Sequence, residues 1–489
     1  MAPAPERGKR EPASLILAAF LWRSAHLAQT GHELGGPEIR YVVVVDGEHY
    51  PPVVSSALAA LQADGHQVAL AVMVGGREKL PAEGIEAYGD VRIVTAADAR
   101  DALVEAIDRV APDEVLDLSD EPVLDYRKRF ELASIALEAG VGYRGSDFSF
   151  TPPERPAVAR KPSLGIIGTG KRTGKTAVAG FAARTMVAAG YRPVVVAMGR
   201  GGPEEPEVLR GDEIGLTPED LLAFSEEGRH AASDYIEDAL LSRVPTVGCR
   251  RCGGGLAGAV SFSNVHRGVE IANEMSADLM IMEGSGAALP PVATDANCLV
   301  VPASIPEEYL KGYFGPYRLL LADVVMVTMC EEPFGSPSKI SSLTSLIHEQ
   351  WRRRGAENRS EVRVVRTVFR PKPVRPIDGA NVFVATTAPE VAGPAIGQHL
   401  AKEHGCTVVG ISHSLSDRKR LAEDLKAAEG RAEVLLCEVK AAAVDVATRW
   451  GLDLGLQVVY MDNIPVGVDG DDPETASLWA AQLASERFH

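Results

Sequence analysis

Hydrophobic residues in this chain fall into short apolar runs that alternate with longer stretches of helical periodicity. The run Arg40–Asp46 (RYVVVVD) is continuous and β-branched, which is typical of a strand buried on both faces of a parallel sheet. The following segments predict strands at 67–74, 91–95 and 114–118, and helices up to 63 and at 97–110 and 127–139. This alternation predicts a Rossmann-like, doubly wound α/β domain over residues 35–150.

Two further α/β series follow a proline-rich segment, 151–162, which predicts a linker. The second series is predicted to have strands at 164–169, 193–198, 278–283, 298–302 and 322–329. After a predicted helix at 340–354, a strand is predicted at 362–369, followed by a bend at Pro371, Pro373 and Pro376. The third series then begins, with predicted strands at 382–386, 408–412, 433–438 and 457–461. We therefore expect a multi-domain α/β protein with a central domain over 163–355 and a C-terminal α/β domain over 356–489.

The composition supports a globular protein and excludes several classes. The chain has 489 residues, 46% of them hydrophobic, and at about 150 residues per domain this length gives about three domains. The net charge of −17 argues against nonspecific binding to nucleic acid or to anionic membranes. The sequence has no run of about 18 apolar residues, the length a membrane-spanning helix needs. Six cysteines are too few for a disulfide scaffold, and we expect a cytoplasmic protein.

The first 34 residues are predicted to form a helical extension. Basic residues within 7–10 precede the apolar run 13–22, an arrangement that resembles a secretory signal peptide. Helical spacing continues to Leu27, which favours an amphipathic helix packed on the body of the protein or on a partner subunit. The apolar face of that helix predicts a homodimer.

The segment Leu164–Thr176 (LGIIGTGKRTGKT) joins a predicted strand to a predicted helix through a glycine-rich turn. This is the arrangement of a P-loop, in which backbone N–H groups and a helix N-terminus bind phosphate oxygens. The spacing is longer than usual by one residue, because Thr169 stands where the first glycine is expected. Lys175 is expected to reach the β- and γ-phosphates of ATP, and Thr176 to offer its hydroxyl to Mg²⁺. The predicted nucleotide-binding residues are Gly168, Thr169, Gly170, Lys171, Arg172, Thr173, Gly174, Lys175, Thr176 and Ala177.

A second strand of the central domain is predicted to end in a carboxylate, Glu283, within the segment Asp278–Gly286 (DLMIMEGSG). In P-loop proteins a carboxylate on a neighbouring strand holds the metal ion or its water. Glu283 is therefore predicted to bind Mg²⁺ together with Thr176. The alternative is a strand-terminal glutamate that faces solvent. Asp212 is a weaker metal candidate.

Two glycine-rich segments of the central domain carry arginines. Arg200 follows the second strand of this domain, and Arg250 and Arg251 lie in 248–255 (GCRRCGGG). Guanidinium groups and free backbone N–H groups suit phosphate binding. The CxxC pair in the same segment, Cys249 and Cys252, has no second pair to complete a zinc site and no thioredoxin-like context. A role in shaping a tight loop is therefore favoured.

The P-loop and the later strand that ends in Glu-Gly-x-Gly resemble dethiobiotin synthetase and its relatives, over about 163–335. Over nearly its full length the chain resembles the cyclic 2,3-diphosphoglycerate synthetase family. The segments that carry this resemblance are Val45–Val54 (VDGEHYPPVV), Gly168–Thr176 (GTGKRTGKT), Val196–Val208 (VAMGRGGPEEPEV), Gly248–Gly258 (GCRRCGGGLAG), Met282–Val292 (MEGSGAALPPV) and Cys437–Thr448 (CEVKAAAVDVAT).

The resemblance implies an ATP-dependent ligase that closes an intramolecular phosphoanhydride between the two phosphates of 2,3-diphosphoglycerate and releases ADP and phosphate. Ring closure brings two phosphoryl groups together, so fixed cations and N–H dipoles must offset their repulsion. The predicted catalytic residues are Lys175, Lys171, Arg250 and Arg251. The predicted substrate-binding residues are Arg200, Arg250, Arg251 and three from a strand-end loop of the first domain, Asp46, Glu48 and His49. That loop is expected to face either the substrate or a domain interface.

Two alternatives remain open from the sequence. One is another ATP-dependent ligase or kinase on the same scaffold that acts on a different acidic metabolite. The other is a switch protein in which ATP hydrolysis moves domains. Such switches often carry a lysine five residues before the P-loop lysine, a position that Gly170 occupies here.

Overall fold

The computed structural model describes residues 37–76, 78, 88, 90–215, 217–228, 233–351, 362–440 and 443–489. The predicted N-terminal helix and the predicted boundary between 355 and 356 lie outside these residues. Within the described ranges, no helix is both long enough and apolar enough to cross a bilayer. The predicted α/β class is confirmed, with a parallel-dominated sheet that runs through the centre of the protein.

The N-terminal part is a six-stranded sheet with helices packed on it. Strands β1–β6 are Arg40–Val45, Gln67–Met73, Ile93–Val94, Glu114–Asp117, Gly142–Arg144 and Ser149–Phe150, and helices α1–α3 are Pro51–Ala63, Ala99–Val110 and Tyr126–Glu138. The strand order is β3-β2-β1-β4-β5-β6, with only β6 antiparallel to its neighbour. The valines of β1 are fully buried, as their continuous run predicts.

The central part contains the P-loop sheet. Strands β7–β14 are Ser163–Gly168, Pro193–Gly199, Glu207–Arg210, Pro245–Cys252, Phe262–Ser263, Leu279–Glu283, Ala296–Pro302 and Val324–Thr328. Helices α4–α10 are Lys175–Ala188, Pro218–Glu226, Asp234–Ser242, Val265–Glu274, Glu308–Lys311, Gly315–Leu321 and Pro337–Trp351. The parallel strands run β10-β8-β12-β7-β13-β14, while β9 and β11 pair antiparallel with β10. Every residue of the central strand β7 is buried.

The C-terminal part continues the same sheet. Strands β15–β19 are Arg363–Pro373, Asn381–Ala385, Thr407–Ser412, Val434–Glu438 and Gln457–Gly467. Helices α11–α14 are Gly393–His404, Arg418–Ala427, Arg449–Asp453 and Pro473–Arg487, and a 3₁₀ turn (Glu390–Ala392) and a π-helical turn (Ala443–Thr448) precede α11 and α13. The strand order after β14 is β15-β19-β18-β16-β17.

Strand β15 joins the two halves into one sheet of 13 strands. Its first part, 363–366, pairs parallel with β14, and its second part, 367–373, pairs antiparallel with β19. The bend predicted at Pro371 and Pro373 is therefore wrong, because the strand continues through both prolines. Residues 367–373 have a strand neighbour on one side only, so the missing proline N–H groups interrupt no ladder on the other side.

The last helix, α14, returns to the central part and packs on α4, β7 and β13. Its contact face is made of small residues, since Ala476, Ala480, Ala481 and Ala484 are all buried. Near the end of α14, Arg487 forms an ion pair of 2.9 Å with Asp323 of the central part. The central and C-terminal parts thus share one hydrophobic core.

Strand β10 is an element that the sequence did not predict, and the tight loop expected at Cys249–Cys252 is wrong. Cys249 is buried in the strand, whereas Cys252 is exposed at its end. Gly248 interrupts the apolar pattern because it lies against the Tyr235 ring, where a Cβ would come within 2.4 Å of Cδ2. Glycine lowers strand propensity, so the sequence signal of β10 is weak.

Candidate active site

The predicted P-loop connects the buried strand β7 to helix α4 at the carboxyl edge of the sheet. Helix α4 begins at Lys175, and Gly174 precedes it with a positive φ of 95°. The Phe369 ring of β15 lies against Gly174, where a Cβ would be only 2.2 Å from Cζ. A glycine is thus required here both by backbone conformation and by the close approach of a side chain from the C-terminal part.

The Lys175 side chain is buried and lies along the loop. Its Nζ donates to the carbonyl oxygen of Gly170 at 2.8 Å and is 3.3 Å from Oγ1 of Thr173. Burial lowers the pKa of Lys175 to about 8, although the carboxylates of Glu283 and Asp234 act in the opposite direction. The charged form of Lys175 is therefore less stable than it is in water, and a bound anion would stabilise it.

The two predicted metal ligands are in direct contact. Thr176 lies in the first turn of α4, and its hydroxyl donates a 2.6 Å hydrogen bond to Oε1 of Glu283 at the end of β12. Oε2 of Glu283 is buried and accepts no hydrogen bond from an N–H or hydroxyl group of the described residues, although the carboxyl group of Asp238 lies within hydrogen-bond reach of Glu283. A buried carboxylate oxygen without a donor beside a threonine hydroxyl suits a Mg²⁺ ion, which prefers oxygen ligands and keeps phosphate and water ligands as well.

Helix α6 places an acidic cluster behind Glu283. Asp234, Glu237 and Asp238 are spaced so that they share one face of the helix. Both carboxylate oxygens of Asp238 are buried without a donor from the described residues. Burial next to Glu283 raises the pKa of Asp238, and burial together with Asp234 raises that of Glu283 to about 7. Burial likewise raises the pKa of Glu237 to about 8.

Arg200 and Arg251 meet in front of Gly286, the last residue of the Glu-Gly-Ser-Gly turn. A Cβ on Gly286 would be 2.7 Å from Nη2 of Arg200 and 3.3 Å from Nη2 of Arg251. Arg251 donates to the Ser285 carbonyl oxygen at 2.7 Å, and burial together with Arg200 lowers its pKa. Arg250 is on the other face of β10, 3.7 Å from Glu204.

A cavity of about 720 Å³ lies in front of these groups. Its floor is the P-loop, and its walls come from both the central and the C-terminal parts. Lys171, Arg172 and Arg200 line it, and no described carboxylate forms an ion pair with them. Three exposed cations that pair with no described carboxylate, beside the partly buried phosphate loop, favour polyanionic ligands.

The C-terminal part contributes charged residues that the sequence analysis missed. Lys440, after β18, lies 3.2 Å from Oε1 of Glu237, and Arg370 forms two 2.7 Å hydrogen bonds with Glu331. Burial opposes the charge of Lys440, but Glu237 and Glu438 raise its pKa. The spacing of Asp234, Glu237 and Asp238 is a sequence signal that could have identified the acidic face of α6. Nothing in the sequence indicates that Lys440, more than 200 positions away from Glu237, reaches the same cavity.

The predicted residues of the first domain are not part of this cavity. Asp46 is buried and accepts hydrogen bonds from the backbone N–H groups of Glu48, His49 and Asp120 and from Nδ1 of His49. Burial opposes ionisation, but these bonds lower the pKa of Asp46. They hold the turn after β1 in place, and a substrate role for Asp46, Glu48 and His49 stays a prediction.

Models of one family match three successive parts of the chain. They are described as the N-terminal domain, the P-loop domain and the C-terminal domain of cyclic 2,3-diphosphoglycerate synthetase, and they match residues 40–151, 163–357 and 373–464. Together they cover the first sheet, the P-loop half and most of the C-terminal half of the second sheet.

Complete proteins named cyclic 2,3-diphosphoglycerate synthetase are similar to this chain over most of their length. The synthetase of Methanothermobacter thermautotrophicus is 47% identical over 92% of this chain and 97% of its own length. The synthetase of Methanothermus fervidus is 47% identical over 89% of this chain and 94% of its own, and that of Rubrobacter xylanophilus is 47% identical over 88% and 96%. The chain belongs to the cyclic 2,3-diphosphoglycerate synthetase family.

Proposed function

We propose that this protein uses ATP to close the phosphoanhydride ring of cyclic 2,3-diphosphoglycerate. The observation that carries the proposal is the cavity lined by a P-loop lysine, by the Thr176–Glu283 pair and by three cations that form no ion pair with a described carboxylate. The family supports the substrate, and the charges in the cavity suit a ligand that carries two phosphates and a carboxylate.

In this proposal the triphosphate binds along the turn from Gly168 to Ala177. Backbone N–H groups of the turn and the N-terminus of α4 face its oxygens, and Lys175 leaves Gly170 to contact the β- and γ-phosphates. Thr176 and Glu283 would hold Mg²⁺. When bound, the ion neutralises charge on those phosphates.

The acceptor would lie against Arg200 and Arg251, with Lys171 at the edge of the cavity. Lys171, Arg200 and the turn after β12 line the cavity, and Arg251 donates to the Ser285 carbonyl oxygen of that turn. Their fixed charges offset the repulsion between the two substrate phosphates as the ring closes. Arg250 lies on the other face of β10 and would act less directly.

The chemistry we propose has two steps. An oxygen of one substrate phosphate attacks the γ-phosphorus, the bond from that phosphorus to the bridging oxygen breaks, and ADP leaves. An oxygen of the other substrate phosphate then attacks the activated phosphorus of its neighbour and expels inorganic phosphate. The side chains named here position the groups and stabilise charge, and none forms a covalent bond.

Replacing Lys175 by alanine tests the central assignment. We expect Lys175→Ala to abolish ADP release in the presence of 2,3-diphosphoglycerate, and the ³¹P spectrum to lose the signal of the cyclic product. Lys402→Ala is the matched control, since Lys402 is exposed on α11 and pairs with Glu403. Unchanged turnover in Lys175→Ala would remove the P-loop from the mechanism.

We also infer a homodimer and a cytoplasmic location from the sequence. The apolar face expected for the segment near Leu27 supports the dimer. Light scattering on the full chain and on a chain that begins at residue 35 tests it. Loss of the dimer in the shorter chain is the expected result, and a monomer in both would contradict it.

A further inference from the structure

Arg318 is a buried arginine on α9 to which the proposed mechanism gives no role. Its Nε and Nη2 donate to the carbonyl oxygen of Ala287 at 3.2 and 2.6 Å, and Nη2 also donates to that of Leu256 at 3.2 Å. Its Nη1 donates to the carbonyl oxygen of Phe314 at 2.9 Å. No carboxylate of the described residues pairs with Arg318, and burial lowers its pKa to about 10. The charge is thus held inside the protein by carbonyl oxygens alone.

A guanidinium group buried in this way is costly. A methionine of similar length would fill the same space without removing a charge from water. What arginine adds is a planar group with five N–H donors at fixed angles, which can hold several carbonyl oxygens at once. Two of the segments that Arg318 holds are the glycine-rich loop 253–258 and the turn after β12. The arginine therefore fixes these two segments to each other.

Arg251 joins the same two segments at a different point. Its Nη1 donates to the Gly253 carbonyl oxygen at 2.8 Å, and its Nη2 donates to the Ser285 carbonyl oxygen at 2.7 Å. Arg318 contacts the two segments three and two positions further along the chain. Because both segments are acceptors for Arg251, a shift of either one would move its guanidinium group.

Helix α9 gives Arg318 a fixed base. Phe314, directly before this helix, is fully buried, and its ring packs edge-on against Phe130 and Phe150 of the first domain. The ring centroids are 5.0 and 4.9 Å apart. Helix α9 also packs on α3, and Phe314 belongs to the hydrophobic core that the first domain shares with the central part. The helix that carries Arg318 is therefore anchored away from the two segments that Arg318 holds.

We propose that Arg318 is a positioning residue for the acceptor: it sets the place of the Arg251 guanidinium by holding loop 253–258 against the turn after β12. The inference rests on the proposed function, in which Arg251 contacts the acceptor. Displacing a substrate-positioning group by about 1 Å can cost a large part of the rate. Arg318 does not line the cavity. Its replacement should therefore affect the acceptor and spare the nucleotide.

A double-mutant cycle tests the proposal. Arg318→Lys keeps the charge but loses the planar fork, and we expect kcat/KM for 2,3-diphosphoglycerate at saturating ATP to fall about tenfold or more. Binding of ADP, measured by calorimetry, should stay within about twofold. In an Arg251→Ala background the same change should cost at most about twofold, because the group that Arg318 positions is gone. Equal losses in both backgrounds would overturn the proposal, and so would an unchanged kcat/KM in Arg318→Lys.

Arg155→Lys is the matched control. Arg155 precedes β7 and also donates to carbonyl oxygens, those of Pro290 and Val292, and burial lowers its pKa as well. Its hydrogen bonds do not reach loop 253–258, so its replacement should leave kcat/KM for the acceptor within about threefold. An equal loss in Arg155→Lys and Arg318→Lys would mean that any buried arginine in this region matters as much, and would overturn the proposal.

A second variant keeps the test decisive if Arg318→Lys does not fold. Gly258→Ala would place a Cβ 2.8 Å from Cγ of Leu289 and 3.1 Å from the Ala287 carbonyl oxygen, so it pushes the two segments apart and leaves Arg318 in place. It should lower kcat/KM for the acceptor and spare ADP binding. Gly255→Ala should change neither, since the nearest neighbour of its Cβ would be 3.6 Å away. An unchanged kcat/KM in Gly258→Ala would overturn the proposal. An unmodified chain that releases no ADP with 2,3-diphosphoglycerate would instead contradict the proposed function.

Discussion

The hydroxyl of Thr176 donates a 2.6 Å hydrogen bond to Oε1 of Glu283, which lies 107 positions later in the chain. The contact joins the first turn of α4, the helix that follows β7, to the end of β12. Strands β7 and β12 are neighbours in the central sheet. It leaves Oε2 of Glu283 buried and without a donor from the described residues. An ionised oxygen in that state is costly unless a cation is bound nearby or a proton is shared with Asp238, and we expect Mg²⁺ to take the place of that proton when nucleotide binds.

Glu283→Gln should weaken the response to Mg²⁺ while preserving the fold. The amide oxygen can still accept from Thr176, so the change removes mainly the negative charge. We expect the Mg²⁺ concentration for half-maximal turnover to rise about 10- to 100-fold. The measurement is a Mg²⁺ titration of ADP release. Asp212→Asn is the control, because Asp212 pairs with Arg210 outside the cavity. An identical titration curve for Glu283→Gln would contradict the assignment.

The pH dependence of kcat/KM for ATP should be bell-shaped. Glu283 must be ionised to attract the metal ion, and burial raises its pKa to about 7, so activity should rise as the pH passes that value. Lys175 must be charged to bind phosphate, and burial lowers its pKa to about 8, so activity should fall above that pH. The profile reports groups of the free enzyme when ATP is limiting.

The Asp234→Asn variant should show whether the pH profile reports Glu283 and Lys175 or the titration of the substrate phosphates. The carboxylate of Asp234 raises the pKa of both Glu283 and Lys175. Removing its charge should therefore move both limbs of the profile to lower pH. Limbs that stay in place would show that the phosphates of the substrates set the profile.

How far the site could be predicted from the sequence depends on where each residue lies. Thr176 and Glu283 follow apolar strand runs, and the carboxyl ends of parallel strands meet at one edge of the sheet, so their proximity could be expected. Arg250 and Arg251 were grouped because β10 was assigned to a loop. A strand places successive side chains on opposite faces, which separates them. Phe369 and Lys440 reach the cavity only because β15 joins the central and C-terminal strands into one sheet, and no local pattern encodes that pairing.

Arg200 lines the cavity whereas Arg250 does not, so their replacement should affect binding of the acceptor differently. Arg200→Ala should raise the KM for 2,3-diphosphoglycerate about 10- to 100-fold, since a charged hydrogen bond contributes about 1.5–3 kcal/mol. Arg250→Ala should have a much smaller effect, because its side chain is directed to Glu204. Steady-state kinetics with saturating ATP, together with ADP binding as a separate readout, measure both. A larger effect for Arg250 than for Arg200 would contradict the arrangement described for the cavity.

Gly174 and Gly170 of the phosphate loop should respond differently to replacement by alanine, with a large loss of stability at Gly174 only. Gly174→Ala places a methyl group 2.2 Å from Cζ of Phe369 at a φ of 95°, and we expect it to destabilise the fold by about 2 kcal/mol or more. Gly170→Ala is the matched control, because a Cβ there has no neighbour within 4 Å. Thermal unfolding without nucleotide measures both.

A double variant separates the two causes of the destabilisation at Gly174. Adding Phe369→Ala to Gly174→Ala removes the steric contact with the ring but leaves the positive φ. The double variant should therefore lose less melting temperature relative to Phe369→Ala than Gly174→Ala loses relative to the original chain, but it should still lose some. Full recovery would mean that the backbone conformation at Gly174 costs little. No recovery, with Gly170→Ala as damaging as Gly174→Ala, would mean that Phe369 does not pack against this loop in solution.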